Sequence, residues 1–84
     1  MARLDGNSIA GLLESMFGRD LTVALGVCGT CGAERHVGAL HVYRAAGIVV
    51  RCPDCDSVLM RVVEAPQRTW IDMQGVATMQ IAGD

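Results

Sequence analysis

Residues 51–56 read RCPDCD, and residues 28–32 read CGTCG. The chain has four cysteines, and both stretches follow the pattern Cys-x-x-Cys. Residues 32–51 separate the two pairs, a spacing at the edge of the range typical of zinc sites. Two residues between cysteines allow a tight turn to direct both sulfurs at one point, and two such turns supply a tetrahedron. We therefore predict one zinc ion per chain with four ligands: Cys28, Cys31, Cys52 and Cys55.

The neighbours of the cysteines indicate metal-binding knuckles. Pro53 fixes the backbone dihedral that the second position of a turn requires. Gly29 and Gly32 permit conformations in which backbone N–H groups point towards thiolate sulfur. Asp56 occupies the position that Gly32 holds in the other pair, and it tolerates the left-handed conformation better than most residues. The knuckle interpretation therefore predicts a positive φ at Asp56.

Other uses of the cysteines fit less well. A thioredoxin-like redox pair needs a helix within a βαβ unit, and that pattern is missing. Four thiolates also bind iron, and the CPDC turn resembles rubredoxin, but three aromatic residues in the whole chain match that family poorly. His36 and His41 are expected to be bystanders, because four cysteines already complete the ligand set. A closed site of this kind is structural, and its metal-binding free energy contributes to folding.

Length and charge restrict the function further. The chain has 84 residues, which indicates a single domain spanning residues 1–84, and its net charge is -2. Its basic residues are scattered rather than clustered, so a basic nucleic-acid-binding surface is not evident. No apolar run reaches the ~18 residues of a membrane span, and charged residues interrupt the N-terminus where a signal peptide would be apolar. We therefore expect a cytoplasmic protein, where most thiols remain reduced.

Residues 7–17 have the pattern of an amphipathic helix. Ile9, Leu13 and Phe17 recur at a spacing of four, together with Leu12 and Met16, so the five share one face. Asn7 or Asp5 can cap the start and Gly18 can end the helix. A helix of this length is unstable alone in water. Its apolar face is therefore expected to dock on its own sheet or on a partner.

The remaining chain is Val-rich and punctuated by glycine, which predicts strands. We expect them at about 21–27, 37–44, 47–51, 57–64, 68–73 and 76–81. Residues 45–47 and 74–75 look like hairpin turns. The predicted fold is small α+β and mostly β: an N-terminal helix at 7–17, a zinc ribbon at 21–64 with antiparallel hairpins, and a C-terminal β-hairpin at 68–81.

This layout, with two knuckles on a β-hairpin, resembles the zinc-ribbon class. The whole chain is similar to a family of small actinobacterial zinc-ribbon proteins of unknown function. The similarity rests on LDGNSIAGLLESMFGRD, CGTCG, LHVY, RCPDCDSVLMRVVE and the stretch from Pro66 to Gly75. The resemblance implies a zinc-ribbon fold and no particular activity.

No nucleophile and base pair or phosphate-binding loop is evident, so we predict a protein that is not an enzyme and has no small-molecule substrate. The leading hypothesis is a zinc-stabilised protein–protein interaction module. A nucleic-acid-binding ribbon is the alternative, disfavoured by the acidic charge, and a rubredoxin-like iron carrier is a remote one. A homodimer through the edge strand 76–81 is compatible with either leading reading. Candidate contact residues are Tyr43, Trp70, Arg35, Arg44, Arg51 and Arg61. Met60, Met73 and Met79 are further candidates, because flexible methionines suit adaptable surfaces, but a place in the core is favoured for them.

Overall fold

The computed structural model describes residues 3–82. Their order is β1 (Arg3–Asp5), a 3-10 turn (Gly6–Ile9), α1 (Ala10–Phe17), β2 (Leu25–Cys28), β3 (Glu34–His36), a second 3-10 turn (Val37–Ala39), β4 (His41–Arg44), β5 (Ile48–Arg51), β6 (Val58–Ala65), β7 (Arg68–Asp72) and β8 (Val76–Gln80). The small, mostly β fold with one N-terminal helical segment is confirmed.

Within this part of the chain the strands form two antiparallel sheets. One has five strands in the order β1-β4-β5-β6-β7, and the other has three in the order β3-β2-β8. The predicted hairpin around residues 45–47 joins β4 to β5, with Arg44 opposite Ile48. Between β6 and β7, residues 66–67 form the turn, and Ala65 lies opposite Arg68. Proline has no backbone N–H, and Pro66 suits this turn because a residue there does not have to donate a hydrogen bond to a neighbouring strand.

Alternation along the strands gives the five-stranded sheet an inner and an outer face. The inner face carries buried side chains such as Val42, Val50 and Val62. The outer face carries the residues between them, which cross-strand pairing aligns in rows. We define the outer face by Tyr43, Val49, Arg61, Val63 and Trp70. A slip of register beside Val50 lets both Leu59 and Met60 be buried on the inner side.

Helix α1 docks on its own domain. Ile9 and Leu13 are buried in the core, Leu12 and Met16 pack at its margin, and Phe17 is 39% exposed. Asp5 caps the helical segment by accepting from Asn7 N at 3.1 Å, and Gly18 ends it with φ 77°. Of the two docking modes open from sequence, packing on the chain's own sheet is the one observed.

The predicted C-terminal hairpin at 68–81 is wrong. Strand β7 pairs with β6, whereas β8 crosses to the other sheet and pairs with β2. Gly75 lies where the chain crosses the end of β6: its N–H donates to Leu59 O at 3.2 Å, and a Cβ atom there would overlap the carbonyl of Val58. Gly75, which the sequence predicted to form a hairpin turn, is therefore required because two backbone segments cross closely there.

Two strand predictions also need correction, and two further strands were missed. The segment expected at 21–27 is strand only from Leu25, because residues 22–24 form a turn and bend. The segment expected at 37–44 begins with a 3-10 turn that ends at Ala39. Strands β1 and β3 were not predicted, because each has three exposed residues and no apolar alternation.

Candidate metal centre

Two equivalent turns carry the cysteines. In the first, Gly32 N donates to Cys28 O at 2.9 Å; in the second, Asp56 N donates to Cys52 O at 2.9 Å. The first knuckle follows β2 and the second follows β5. Each is closed by one more hydrogen bond of 2.9 Å, from Cys28 N to Ala33 O and from Cys52 N to Ser57 O. The two Cys-x-x-Cys sequences therefore adopt the same backbone hydrogen-bond pattern.

The residue after each second cysteine is left-handed. Gly32 has φ 78° and Asp56 has φ 64°, and Asp56 is the one non-glycine residue with positive φ in the described chain. This confirms the positive φ predicted for Asp56. Arg51 supports the conformation, because its Nη1 donates to Asp56 O at 2.9 Å.

Glycine at position 29 has a further reason that the sequence did not reveal. Among residues 3–82, Gly18 and Gly32 are the glycines with positive φ, so Gly29 needs no left-handed conformation. Its N–H donates to Gly75 O at 2.9 Å, and a Cβ atom would lie 3.2 Å from that oxygen. Gly29 thus accommodates the crossing to β8. The equivalent position in the other knuckle accepts Pro53.

Backbone donors converge on the sulfurs. Thr30 N lies 3.4 Å from Cys28 Sγ, and Asp54 N lies 3.4 Å from Cys52 Sγ, again at equivalent positions. Such N–H groups stabilise a thiolate. The sequence-based expectation of amides aimed at sulfur is therefore met in both turns.

The four thiol sulfurs form one compact group, all within 4.8 Å of one another. Two pairs formed between the knuckles are at 3.7 Å: Cys28 with Cys55, and Cys31 with Cys52. A metal–sulfur distance of ~2.3 Å in a regular tetrahedron separates neighbouring sulfurs by ~3.8 Å. The donor set and its spacing therefore fit a tetrahedral metal ion.

The cluster has a buried and an exposed side. Cys28 and Cys52 are buried, whereas Cys31 and Cys55 are exposed. The pKa of Cys28 falls to about 6, chiefly because the N–H of Cys31 stabilises its thiolate, against the opposing effect of burial.

The Cys31 thiol behaves in the opposite way. The N–H of Ala33 lowers its pKa, but desolvation and the thiols of Cys55, Cys52 and Cys28 outweigh this and raise it to about 12. A metal ion bound by all four thiolates must displace such protons, so its affinity falls as the pH falls.

An ion pair that the sequence did not reveal links β3, the strand after the first knuckle, to the second knuckle. Arg35 Nε and Nη2 donate to the two carboxylate oxygens of Asp54 at 2.8 and 2.6 Å. The guanidinium lowers the pKa of Asp54. Arg35, a candidate contact residue, therefore braces the metal centre. No sequence pattern could pair it with Asp54, because residues 19 positions apart meet only through the tertiary fold.

The other candidate contact residues separate into two groups. Tyr43, Trp70 and Arg61 share the outer face, and Arg51 lines a shallow depression there with Tyr43 and Val49. Arg44 is not part of the outer face: it lies opposite Ile48 at the end of β4, and its Nη2 donates to Ser8 O at 3.2 Å.

The methionines and histidines follow the sequence analysis. Met60 is buried, and Met73 and Met79 pack against the core, as expected. The four-residue cluster contains cysteines alone, without His36 or His41.

Two Cys-x-x-Cys knuckles joined through antiparallel strands place the four cysteines as in a zinc ribbon. The model of a family of unknown function (DUF6510) matches residues 1–84, and the chain belongs to that family. No curated protein and no solved structure matches it significantly. Across residues 3–82, no helix combines the length and apolar character needed to cross a membrane. The actinobacterial origin expected from the resemblance stays a prediction.

Proposed function

We propose that this chain is a non-catalytic binding module, stabilised by one structural zinc ion, that contacts another protein through its outer face. Four thiolates fill a tetrahedral shell and leave no position for water or substrate, which is typical of structural rather than catalytic zinc. The thiols are free rather than paired in disulfides, consistent with a reducing compartment such as the cytoplasm.

Zinc is favoured over iron by the surroundings of the cluster. Tetrahedral sulfur sites select one of these two metals. None of the three aromatic residues belongs to a knuckle: Phe17 is on α1, and Tyr43 and Trp70 are on the outer face. This differs from the aromatic packing around iron in rubredoxins. Elemental analysis of the purified protein should give one zinc per chain and a colourless solution; a red protein containing iron would contradict the assignment.

The observation that carries the interaction proposal is the composition of the outer face. Trp70 is 53% exposed and Val63, directly opposite it, is 45% exposed. Tyr43 and Val49 form the neighbouring row with Arg61. Aromatic and arginine side chains are enriched in protein interfaces, and adjoining exposed apolar residues often mark such sites.

Site-specific cross-linking tests this proposal. A photo-reactive amino acid replaces Tyr43 in one variant and Glu14, on helix α1, in a control. In cells of the native host, the variant at position 43 should yield a discrete cross-linked protein, and the control should not. The same product from both positions, or a product removed by nuclease, would contradict a protein partner at the outer face.

Nucleic acid is the second candidate, and the charge of the outer face favours it. Cross-strand pairing aligns Arg3 and Arg61 with Tyr43, and Arg68 shares the face with Trp70. On the same face of these strands the acidic residues are fewer: Asp72, opposite Arg61, and Asp5, opposite His41. Exposed aromatics flanked by arginine provide stacking surfaces for single-stranded bases.

Fluorescence anisotropy with short single-stranded RNA and DNA tests this alternative. Binding that weakens steeply with salt, and that Arg61→Glu reduces, would support it. No binding at ~50 mM salt would exclude it, because electrostatic binding is strongest at low ionic strength.

A further inference from the structure

Strand β7 is an unprotected edge of the five-stranded sheet. Within residues 3–82, no strand pairs with the edge of β7 that points away from β6. All five of its residues are exposed. Trp70 on the outer face and Ile71 on the inner face are 53% and 41% exposed, so the edge is apolar on both sides. Exposed edges of this kind are ready templates for pairing with another strand.

The register of β7 identifies its free backbone groups. Ala65 and Arg68 flank the two-residue turn and lie opposite each other. Residues flanking such a turn form a hydrogen-bonded pair, and bonded and non-bonded pairs alternate along the ladder. The N–H and C=O groups of Thr69 and Ile71 therefore point away from β6, towards the free edge.

We propose that β7 pairs antiparallel with β7 of a second copy of this chain, about a two-fold axis at Trp70. The sequence RTWID is self-complementary in this register. Arg68 lies opposite Asp72 of the partner subunit, and Thr69 lies opposite Ile71 of the partner subunit. The free backbone groups of Thr69 and Ile71 then form the hydrogen-bonded pairs.

The centre of the interface is a pair of tryptophans. Trp70 lies opposite Trp70 of the partner subunit at a non-hydrogen-bonded position, where opposing side chains approach most closely. Aromatic cross-strand pairs are among the favourable contacts in antiparallel sheets. Within one chain, the guanidinium of Arg68 lies 5.6 Å from the centre of the Trp70 ring, which holds both side chains over the same face.

The other edges are less suited to self-pairing. If β8 paired with its own copy, two uncharged sequences (VATMQ) would face each other without charge complementarity. If β3 did so, Arg35 would lie opposite the same arginine of the second copy. Strand β1 brings Arg3 opposite Asp5 but has only three residues, whereas β7 has five. Our proposal therefore places the dimer contact at β7 rather than at the edge strand 76–81, where a homodimer was compatible with the sequence.

Self-pairing goes beyond the proposed function and does not rest on it. It joins two five-stranded sheets edge to edge and puts both outer faces on the same side. A partner of the outer face would then meet a doubled surface with two tryptophans at its centre.

Analytical ultracentrifugation of the metal-loaded protein tests the proposal. We expect a reversible monomer–dimer equilibrium at micromolar to submillimolar concentration. Arg68→Asp and Asp72→Arg should each weaken the dimer roughly tenfold or more, because each places like charges opposite at two symmetric positions. An equimolar mixture of the two variants should recover dimerisation, because one strand then has two acidic ends and the other two basic ends.

Gln80→Arg, on the β8 edge, is the matched control and should leave dimerisation unchanged. Metal content and circular dichroism verify that each variant is folded. If the chain is still monomeric at ~0.5 mM, any self-association is weaker than typical specific binding. That result would overturn the proposal and leave β7 to a different protein. A dimer insensitive to both β7 substitutions, or one broken by Gln80→Arg, would also overturn it.

Discussion

At the scale of single residues, the residue after the second cysteine is Gly32 in one knuckle and Asp56 in the other. Both adopt positive φ, at 78° and 64°. A side chain costs energy in this region, although aspartate tolerates it better than most. The Asp56 carboxylate lies 3.9 Å from Arg51 Nη1 and is 72% exposed, so this ion pair contributes little.

Asp56→Gly should therefore raise the free energy of unfolding of the metal-loaded protein by about 0.5–1 kcal/mol, because glycine adopts this conformation without strain. Asp56→Val should lower it by about 1–2 kcal/mol, since a β-branched side chain is strained there. Urea denaturation measures both. Gly32→Ala is the matched variant in the first knuckle and should also destabilise; a loss of stability in Asp56→Gly would contradict the strain argument.

The Arg35–Asp54 pair gives a second prediction at this scale. Arg35→Met and Asp54→Asn should each weaken metal retention against a competing chelator, and the double variant should lose little more than either single variant. Sub-additive loss is the signature of a direct contact in a double-mutant cycle. Fully additive losses would show that the two side chains act separately.

The coupling between Arg35 and Asp54 should be constant between pH 6 and 8. The arginine lowers the pKa of Asp54, so the carboxylate stays ionised throughout this range. A group with a lowered folded-state pKa contributes stability above its unfolded pKa of about 4 and loses it as the pH falls through the folded value. A coupling that fades between pH 8 and 6 would contradict this assignment.

At the scale of elements, the segment between β7 and β8 determines how the two sheets are connected. Gly75 passes so close to the end of β6 that a side chain would overlap the Val58 carbonyl. The same residue accepts a hydrogen bond from Gly29 N, which connects the crossing to the first knuckle. The glycine therefore serves both the path of the chain and the metal centre.

Gly75→Ala should lower the free energy of unfolding by about 2 kcal/mol or more, because the added methyl group forces backbone atoms apart in a packed region. Gly11→Ala is the matched control: helix α1 is exposed there, and nothing lies within 4 Å of the added atom. That control should be stabilising by about 0.5–1 kcal/mol, since alanine favours helix. Equal effects of both substitutions in urea denaturation would refute the crossing argument.

At the scale of the whole molecule, the metal centre connects the two sheets. Cys28 ends β2 of the three-stranded sheet, and Cys52 directly follows β5 of the five-stranded sheet. An ion bound by both knuckles is thus a cross-link across the core. In a domain of this size such a link contributes a large share of the stability.

Removing the metal with a strong chelator, under reducing conditions, should therefore abolish cooperative unfolding and expose backbone amides of β2 and β8 to rapid hydrogen exchange. Restoring one equivalent of zinc should recover both. Cys31→Ser provides a graded control, because loss of one thiolate weakens the site while its backbone turn can still form. A metal-free chain with unchanged exchange protection would contradict a structural role for the ion.

The sequence by itself determined the local features of this protein. The two Cys-x-x-Cys turns, the left-handed Asp56, helix α1 with its Gly18 terminus and the hairpin at 45–47 all follow from short-range spacing and backbone preferences, and the structure contains each of them. These features depend on residues close together in the chain, so a single stretch of sequence is enough to specify them.

Only the tertiary structure decided which distant segments meet. It paired β8 with β2 rather than with β7, brought Arg35 to Asp54, and placed Tyr43 and Trp70 on one face. Residues 74–75 could not reveal the crossing, because a glycine suits both a hairpin turn and a close backbone contact. Which of the two occurs depends on where β6 and the metal knuckles lie, and that is set by packing across the whole chain.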